Sequence, residues 1–276
     1  MKNHDDHADG SHPGHGAVEP GGLLVSQHGY TLVLDSTILA RGLAKVAFKL
    51  VGPDGSALTE FVPLHEKKLH FIAIRRDMTG FQHVHPVMDE FGTWIADLQL
   101  VPGDWRFFAD FQPPNHEPMT LGVDASVAGM YDPQTLAEPV RIVSAGPYAV
   151  ALAGELLAGS PSELTFNITL DTHPVTDLEP YLGSYGHLVA LRSGDLAYLH
   201  VHPQGEPADG ITEAGPEISF FATAPSAGRY RLHLDFQHEG LVHSAHFTVE
   251  AAMAVTGPKP SAPPLTSGGH SGRADA

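Results

Sequence analysis

Histidine is the residue whose spacing in this chain suits chemistry. His83-Val-His85 and His200-Val-His202 are each followed by proline, and each is preceded by a further histidine, His70 or His187, thirteen residues before the pair. In an extended strand successive side chains alternate, so the two imidazoles of His-x-His point to one face. His70 and His187 each open a short apolar segment that runs into a turn, at 75–80 and 192–195, before the chain returns to the His-Val-His pair. A hairpin of that length brings its two ends together. The spacing therefore predicts three converging imidazoles in each half of the molecule: His70, His83 and His85 in one, His187, His200 and His202 in the other. Three imidazoles plus water or a carboxylate suit Zn(II) or Cu(II).

Additional donors stand near a shared Asp-Phe-Gln: Asp110 and His116 in the first half, Asp235, His238, His243 and His246 in the second. Setting Val127 over Val249 leaves Leu121 and Asp124 opposite His243 and His246, so the second half is expected to bind metal more tightly. A plainer role is open to all these residues. Imidazole N–H groups tied to backbone carbonyls near Pro86 and Pro203 would brace the strands with no ion. Asp-Phe-Gln reads first as core, its aromatic ring buried, and second as an aspartate that coordinates or orients a histidine.

Composition narrows the chemistry. Nineteen histidines stand against no cysteine, which excludes disulfides, thiolate zinc sites and Cys-ligated copper. Fifteen Lys and Arg face 32 Asp and Glu, a formal net charge of -17, so nucleic acid would be repelled as a partner. The sequence contains no Gly-x-Ser-x-Gly elbow, His-Glu-x-x-His helix, P-loop or Rossmann fingerprint, and its scattered carboxylates nominate no glycosidase pair. No catalytic residue and no enzyme activity is expected. No apolar run approaches the roughly 18 residues of a membrane-spanning helix.

The elements that must position the histidines read as strands. At an offset of 117, residues 57–86 lie without gaps over 174–203, and nine of these thirty positions are identical. At an offset of 125, Gly103 to Gln112 lies over Gly228 to Gln237. Within each copy the apolar residues follow period 2 or short runs bounded by Gly, Pro and Asp, and no long amphipathic helix stands out. Roughly seven short strands per ~110 residues is the pattern of an immunoglobulin-like sandwich. The expected fold is all-β: two tandem sandwiches over 23–135 and 140–252, a stiff connection at 131–139, and tails at 1–22 and 253–276. Met1 to Gly22 holds His4, His7, His12 and His15 among Asp, Gly and Pro, with no apolar signal-peptide core. A disordered metal-collecting tail is expected there. Arg75-Arg76 reads as a solvated turn.

The segments Leu69 to Pro86 and Gly186 to Pro203 resemble a family of actinobacterial-type secreted or membrane-anchored proteins with tandem His-Val-His-Pro sandwiches, some linked to heavy-metal or copper handling. That resemblance covers most of 21–250 and implies an extracytoplasmic protein; since the sequence begins at the His-rich stretch, either the given start omits a leader or this member stays in the cytoplasm. The plan is also similar to that of periplasmic copper-resistance sandwiches. The leading expectation is a non-enzymatic Cu(II) or Zn(II) protein for buffering, delivery or resistance, with a metal-transport or resistance protein as partner. Its rivals are an adhesion or assembly module with structural histidines, and a three-histidine metal oxidase or hydrolase.

Overall fold

A computed structural model describes residues 20–199 and 201–253, and among them the only regular structure is β-strand. The tail residues 1–19 and 254–276, and the candidate ligand His200, lie outside the described residues. Ten strands form the first domain: β1 (Ser26–Gln27), β2 (Tyr30–Leu34), β3 (Ile38–Leu39), β4 (Gly42–Val51), β5 (Leu69–Arg75), β6 (Gln82–Val84), β7 (Val87–Met88), β8 (Thr93–Leu100), β9 (Gly103–Phe111) and β10 (Met119–Val127). Eleven form the second: β11 (Ile142–Ala145), β12 (Tyr148–Ala153), β13 (Leu157–Ala158), β14 (Ser162–Leu170), β15 (His173–Pro174), β16 (His187–Arg192), β17 (Tyr198–Leu199), β18 (Val201–Pro203), β19 (Glu217–Ala222), β20 (Gly228–His238) and β21 (Leu241–Met253).

Each domain is an immunoglobulin-like sandwich. In the first, the sheet β1-β2-β4-β8-β7 faces the sheet β3-β10-β9-β5-β6; in the second, β11-β12-β14-β19-β18 faces β13-β21-β20-β16-β17. Alternation supplies both cores. Phe48, Phe71, Trp105, Phe107 and Phe111 fill the first, and Phe166, Phe220, Tyr230, Phe236 and Phe247 the second. The repeat read from the sequence is thus a repeat of sandwiches.

The outer faces matter more for function. All seven residues of β5 are buried, which a strand with one solvated face cannot achieve. Leu69, Phe71 and Ala73 enter the first core, while the alternate residues His70, Ile72 and Ile74 face the second domain. Ile72, Ile74, Met78 and Phe108 pack there against Val189, Leu191 and Leu196, an apolar cluster shared by the two domains. By the same alternation His187 lies on the face of β16 that carries Val189 and Leu191. The two sandwiches therefore dock through their equivalent sheets, and β5 with His70 and β16 with His187 lie at the junction.

Three expectations change here. Gly21 and Gly22, placed in the tail by composition, belong to the fold: Gly22 N–H donates to Thr120 O, and Tyr198 N–H of the second domain donates to Gly21 O. Arg75 is not a solvated turn residue. It is 7% exposed, forms a paired salt bridge with Asp77 (Nε–Oδ1 3.0 Å, Nη2–Oδ2 2.5 Å) and lies 5.2 Å over the Tyr131 ring, fixing the interdomain connection. The last strands of the two domains correspond at an offset of 124, because Thr120 pairs with Asp110 as Ser244 pairs with Asp235. His246 therefore stands opposite Gly122, and the pairing of Leu121 and Asp124 with His243 and His246 does not hold.

Candidate metal centre at the domain junction

The hairpin β5–β6 assembles the first triad as its spacing predicts. Ile72 is paired with His83 and Phe71 with Val84, so His83 shares the junction face with Ile72, and the continuation of that register sets His85 beside His70. His70 Nδ1 lies 3.0 Å from His83 Nε2 and 3.2 Å from His85 Nε2. One ring nitrogen from each of the three lies within 4.8 Å of the others, and no other group of three such donors occurs among the described residues.

The outer hydrogen bonds of this cluster fix where its lone pairs point. A carbonyl only accepts, so His70 Nε2, 3.0 Å from Leu64 O, carries the proton and donates it. His83 Nδ1 likewise donates to Asp235 Oδ2 at 3.2 Å, across the domain junction. In neutral imidazole the other nitrogen of each ring then holds a lone pair. His70 Nδ1 and His83 Nε2 thus aim lone pairs at one point from 3.0 Å apart. Burial, then repulsion from His83, pulls the His70 imidazolium down to about 3. His85 is drawn down to about 4 by the same two causes. Metal-ligating histidines commonly have this carboxylate or carbonyl behind them.

Of the second triad only His187 and His202 are described. The His187 ring stacks on His70 (centroids 5.2 Å, planes 8° apart) and on His83 (4.7 Å, 26°) of the first domain. His187 Nε2 is buried without a hydrogen bond, and burial holds this imidazole well below its usual range. The place of His202 follows from a sheet switch. In the first domain β6 stays with β5 through Val84. In the second, Leu199 is still paired with β16, but Val201 to Pro203 are paired with β19 of the opposite sheet, so His202 is exposed on that strand. His65, which no spacing argument picked out, sits at the edge of the cluster, 5.4 Å from His187 and 5.9 Å from His70. Its only sequence signal was proximity to His70.

The additional candidates separate into four places. Asp235 joins the centre as the partner of His83, and also accepts from Ser244 Oγ at 2.5 Å. Its counterpart Asp110 accepts from Thr120 Oγ1 at 2.9 Å, and burial pushes its carboxyl up to about 6. Asp110 and His116 line a cavity between the domains, and Asp110 is also the cross-strand partner of His70. His238 bonds to the Tyr148 hydroxyl (2.8 Å) and Asp177 (3.2 Å), and the His243 ring packs on Tyr148 and Phe236, all within the second domain. His246 Nδ1 is 2.9 Å from His233 Nδ1, and Phe81 of the first domain stacks on His233 at 3.7 Å.

Solved structures similar to the chain include two adhesins and a macroglobulin. The Yersinia pseudotuberculosis adhesin InvE is 13% identical at a TM-score of 0.24, with 81% of this chain and 59% of that one covered. The Escherichia coli adhesin FdeC is 16% identical at 0.26, with 83% and 65% covered. A Salmonella alpha-2-macroglobulin is 13% identical at 0.27, with 85% and 15% covered. The chain thus spans less than two thirds of each of these proteins, and at such scores the likenesses carry no argument about function. No curated protein matches significantly. A family model described as a domain of unknown function, DUF8832, matches residues 25–129 and 143–253, one stretch on each sandwich. With more than half of its length matched in this way, the chain belongs to the DUF8832 family.

Proposed function

We propose that the chain is a non-catalytic metal-binding protein. One Cu(II) or Zn(II) is held by His70, His83 and His85 at the domain junction, and the protein serves outside the cytoplasm in metal buffering, delivery or resistance. The observation that carries this reading is the pair His70 Nδ1 and His83 Nε2, 3.0 Å apart, each with its opposite nitrogen committed to an oxygen. Two lone pairs so close in a buried site repel, and a cation between them removes the repulsion. A metal about 2.0–2.1 Å from each of two imidazole nitrogens sets them about 3.0–3.4 Å apart, the range of the 3.0 and 3.2 Å spacings here. Three protein donors leave a fourth position for water or for a donor from a transport or resistance protein.

A second reading, an adhesion or assembly module braced by its histidines, is supported by the 3.2 Å contact of His83 Nδ1 with Asp235 Oδ2 across the junction. A hydrogen bond from His83 to Asp235 and another between His83 Nε2 and His70 Nδ1 would close the network with no ion. InvE and FdeC, described as adhesins, share the plan, which agrees with this reading without arguing for it.

Calorimetric titration of the chelator-treated chain with Zn(II) and Cu(II), beside His85→Ala, separates the two. The metal reading expects one tight site, lost in the variant, above a weaker background from the other histidines. Binding unchanged in the variant, with only a lower melting temperature, supports the brace.

A further inference from the structure

Between the sandwiches lies a cavity of about 480 Å³ whose lining holds none of the three triad histidines but does hold Asp110, the cross-strand partner of His70. Its volume is within the roughly 300–1,000 Å³ of small-molecule sites, which are often found at domain junctions. The first domain contributes Asp110, His28, His116 and Glu117, and the second Tyr198 and Leu199. Asp110 is half-buried and its Thr120 hydrogen bond leaves acceptor capacity; Glu117 is exposed at the rim. The His28 and His116 rings stand 5.0 Å apart, and with Tyr198 they give the wall an aromatic character.

We propose that this cavity binds a small organic cation, a protonated amine on a short apolar or aromatic body. Four observations select that class. The lining holds two carboxyl groups and no lysine or arginine, so an anion finds no counter-charge. A neutral apolar guest would take water from Asp110 without replacing its hydrogen bonds, a cost an ammonium group avoids. The Tyr198 ring in the lining favours a cation over either alternative. A bare divalent metal is disfavoured because no group of three His, Asp or Glu donors converges here among the described residues. The whole-chain charge of -17 adds attraction for cations at long range.

Three probes sharing one body but differing in charge test the assignment: phenethylamine, 2-phenylethanol and phenylacetate. Each is titrated calorimetrically into the full chain at neutral pH with a chelator present, so that no metal at the histidine triad enters the readout. The amine is expected to bind, the alcohol about tenfold more weakly or worse, and the acid not at all. Asp110→Asn should reduce amine affinity to that of the alcohol and leave the alcohol unchanged. Glu117→Gln, at an exposed position, should weaken the amine by a smaller factor and carries the test alone should Asp110→Asn misfold. The assignment is overturned if the amine does not bind, if the alcohol or acid binds as tightly, or if the foldable variants bind the amine as the parent does.

Discussion

At the scale of single residues, the charge that orients the centre comes from the other domain. Asp235 accepts from His83 and from Ser244, so Asp235→Asn keeps an acceptor for both and changes mainly the charge behind the imidazole. Zinc affinity should fall by about tenfold or more in that variant, the usual scale for an outer-sphere carboxylate. Competition against a chromophoric chelator measures it, and an unchanged affinity would remove Asp235 from the centre. The metal-free cluster should also sense acid. His70 and His85 are drawn down to about 3 and about 4 in the native state, whereas an unfolded histidine titrates near 6.5. Between those values the unfolded chain binds protons that the native chain refuses, so stability is lost as pH falls from about 6.5 towards 3. Wholly buried His70 contributes up to about 1.4 kcal/mol per pH unit in that window. Asp110 opposes this over a narrower span, because its native value of about 6 lies above 3.8 and the native state gains protons there. Melting curves of metal-free protein should therefore fall in temperature from pH 6.5 to 4, and His70→Gln should flatten the slope. A slope the variant leaves unchanged would show that other groups set the acid response.

At the scale of elements, the first triad was legible because a hairpin is local: His70, His83 and His85 needed only a turn and the alternation of a strand. The place of His202 was not, since nothing in the sequence announces that Leu199 pairs with β16 while Val201 to Pro203 pair with β19. The double burial of β5 was half visible, as the unbroken apolar run from Phe71 to Ile74 has no solvent side. The N-terminal insertion was invisible, because it depends on an absent side chain. Gly122 lies so near the incoming segment that a Cβ there would stand 2.0 Å from Gly22 O. That oxygen accepts from Arg106 Nε (3.0 Å) and Nη2 (2.6 Å). Gly122→Ala should therefore expel residues 21–24 from the groove between the domains. The amides of Gly22 and Tyr198, protected by Thr120 O and Gly21 O, should exchange hydrogen much faster, while those of the two sandwich cores keep their protection. Unaltered exchange at Gly22 would mean the segment is not held by that close approach.

At the scale of the molecule, the repeat foretold two sandwiches but not their docking, because each residue that docks them reads as an ordinary strand residue in its own half. The docking is what makes a centre on one domain depend on the other. His83 needs Asp235 beside it, and the two meet only while Ile72 and Ile74 pack on Val189 and Leu191. Val189 is fully buried in that cluster, so Val189→Asp places an unpaired charge in an apolar junction and should separate the sandwiches while sparing both cores. Two measurements then move together. The parent chain should melt in one transition, because the shared cluster couples two cores that would otherwise unfold independently. Saturating zinc at about a hundred times its dissociation constant should add about 2.7 kcal/mol to that transition. In Val189→Asp the melting should split in two, and zinc should stabilise at most the first sandwich, with an affinity reduced about as much as in Asp235→Asn. Should the variant keep the parent's zinc affinity and its single transition, the triad would be a property of one domain, and the junction would be packing alone.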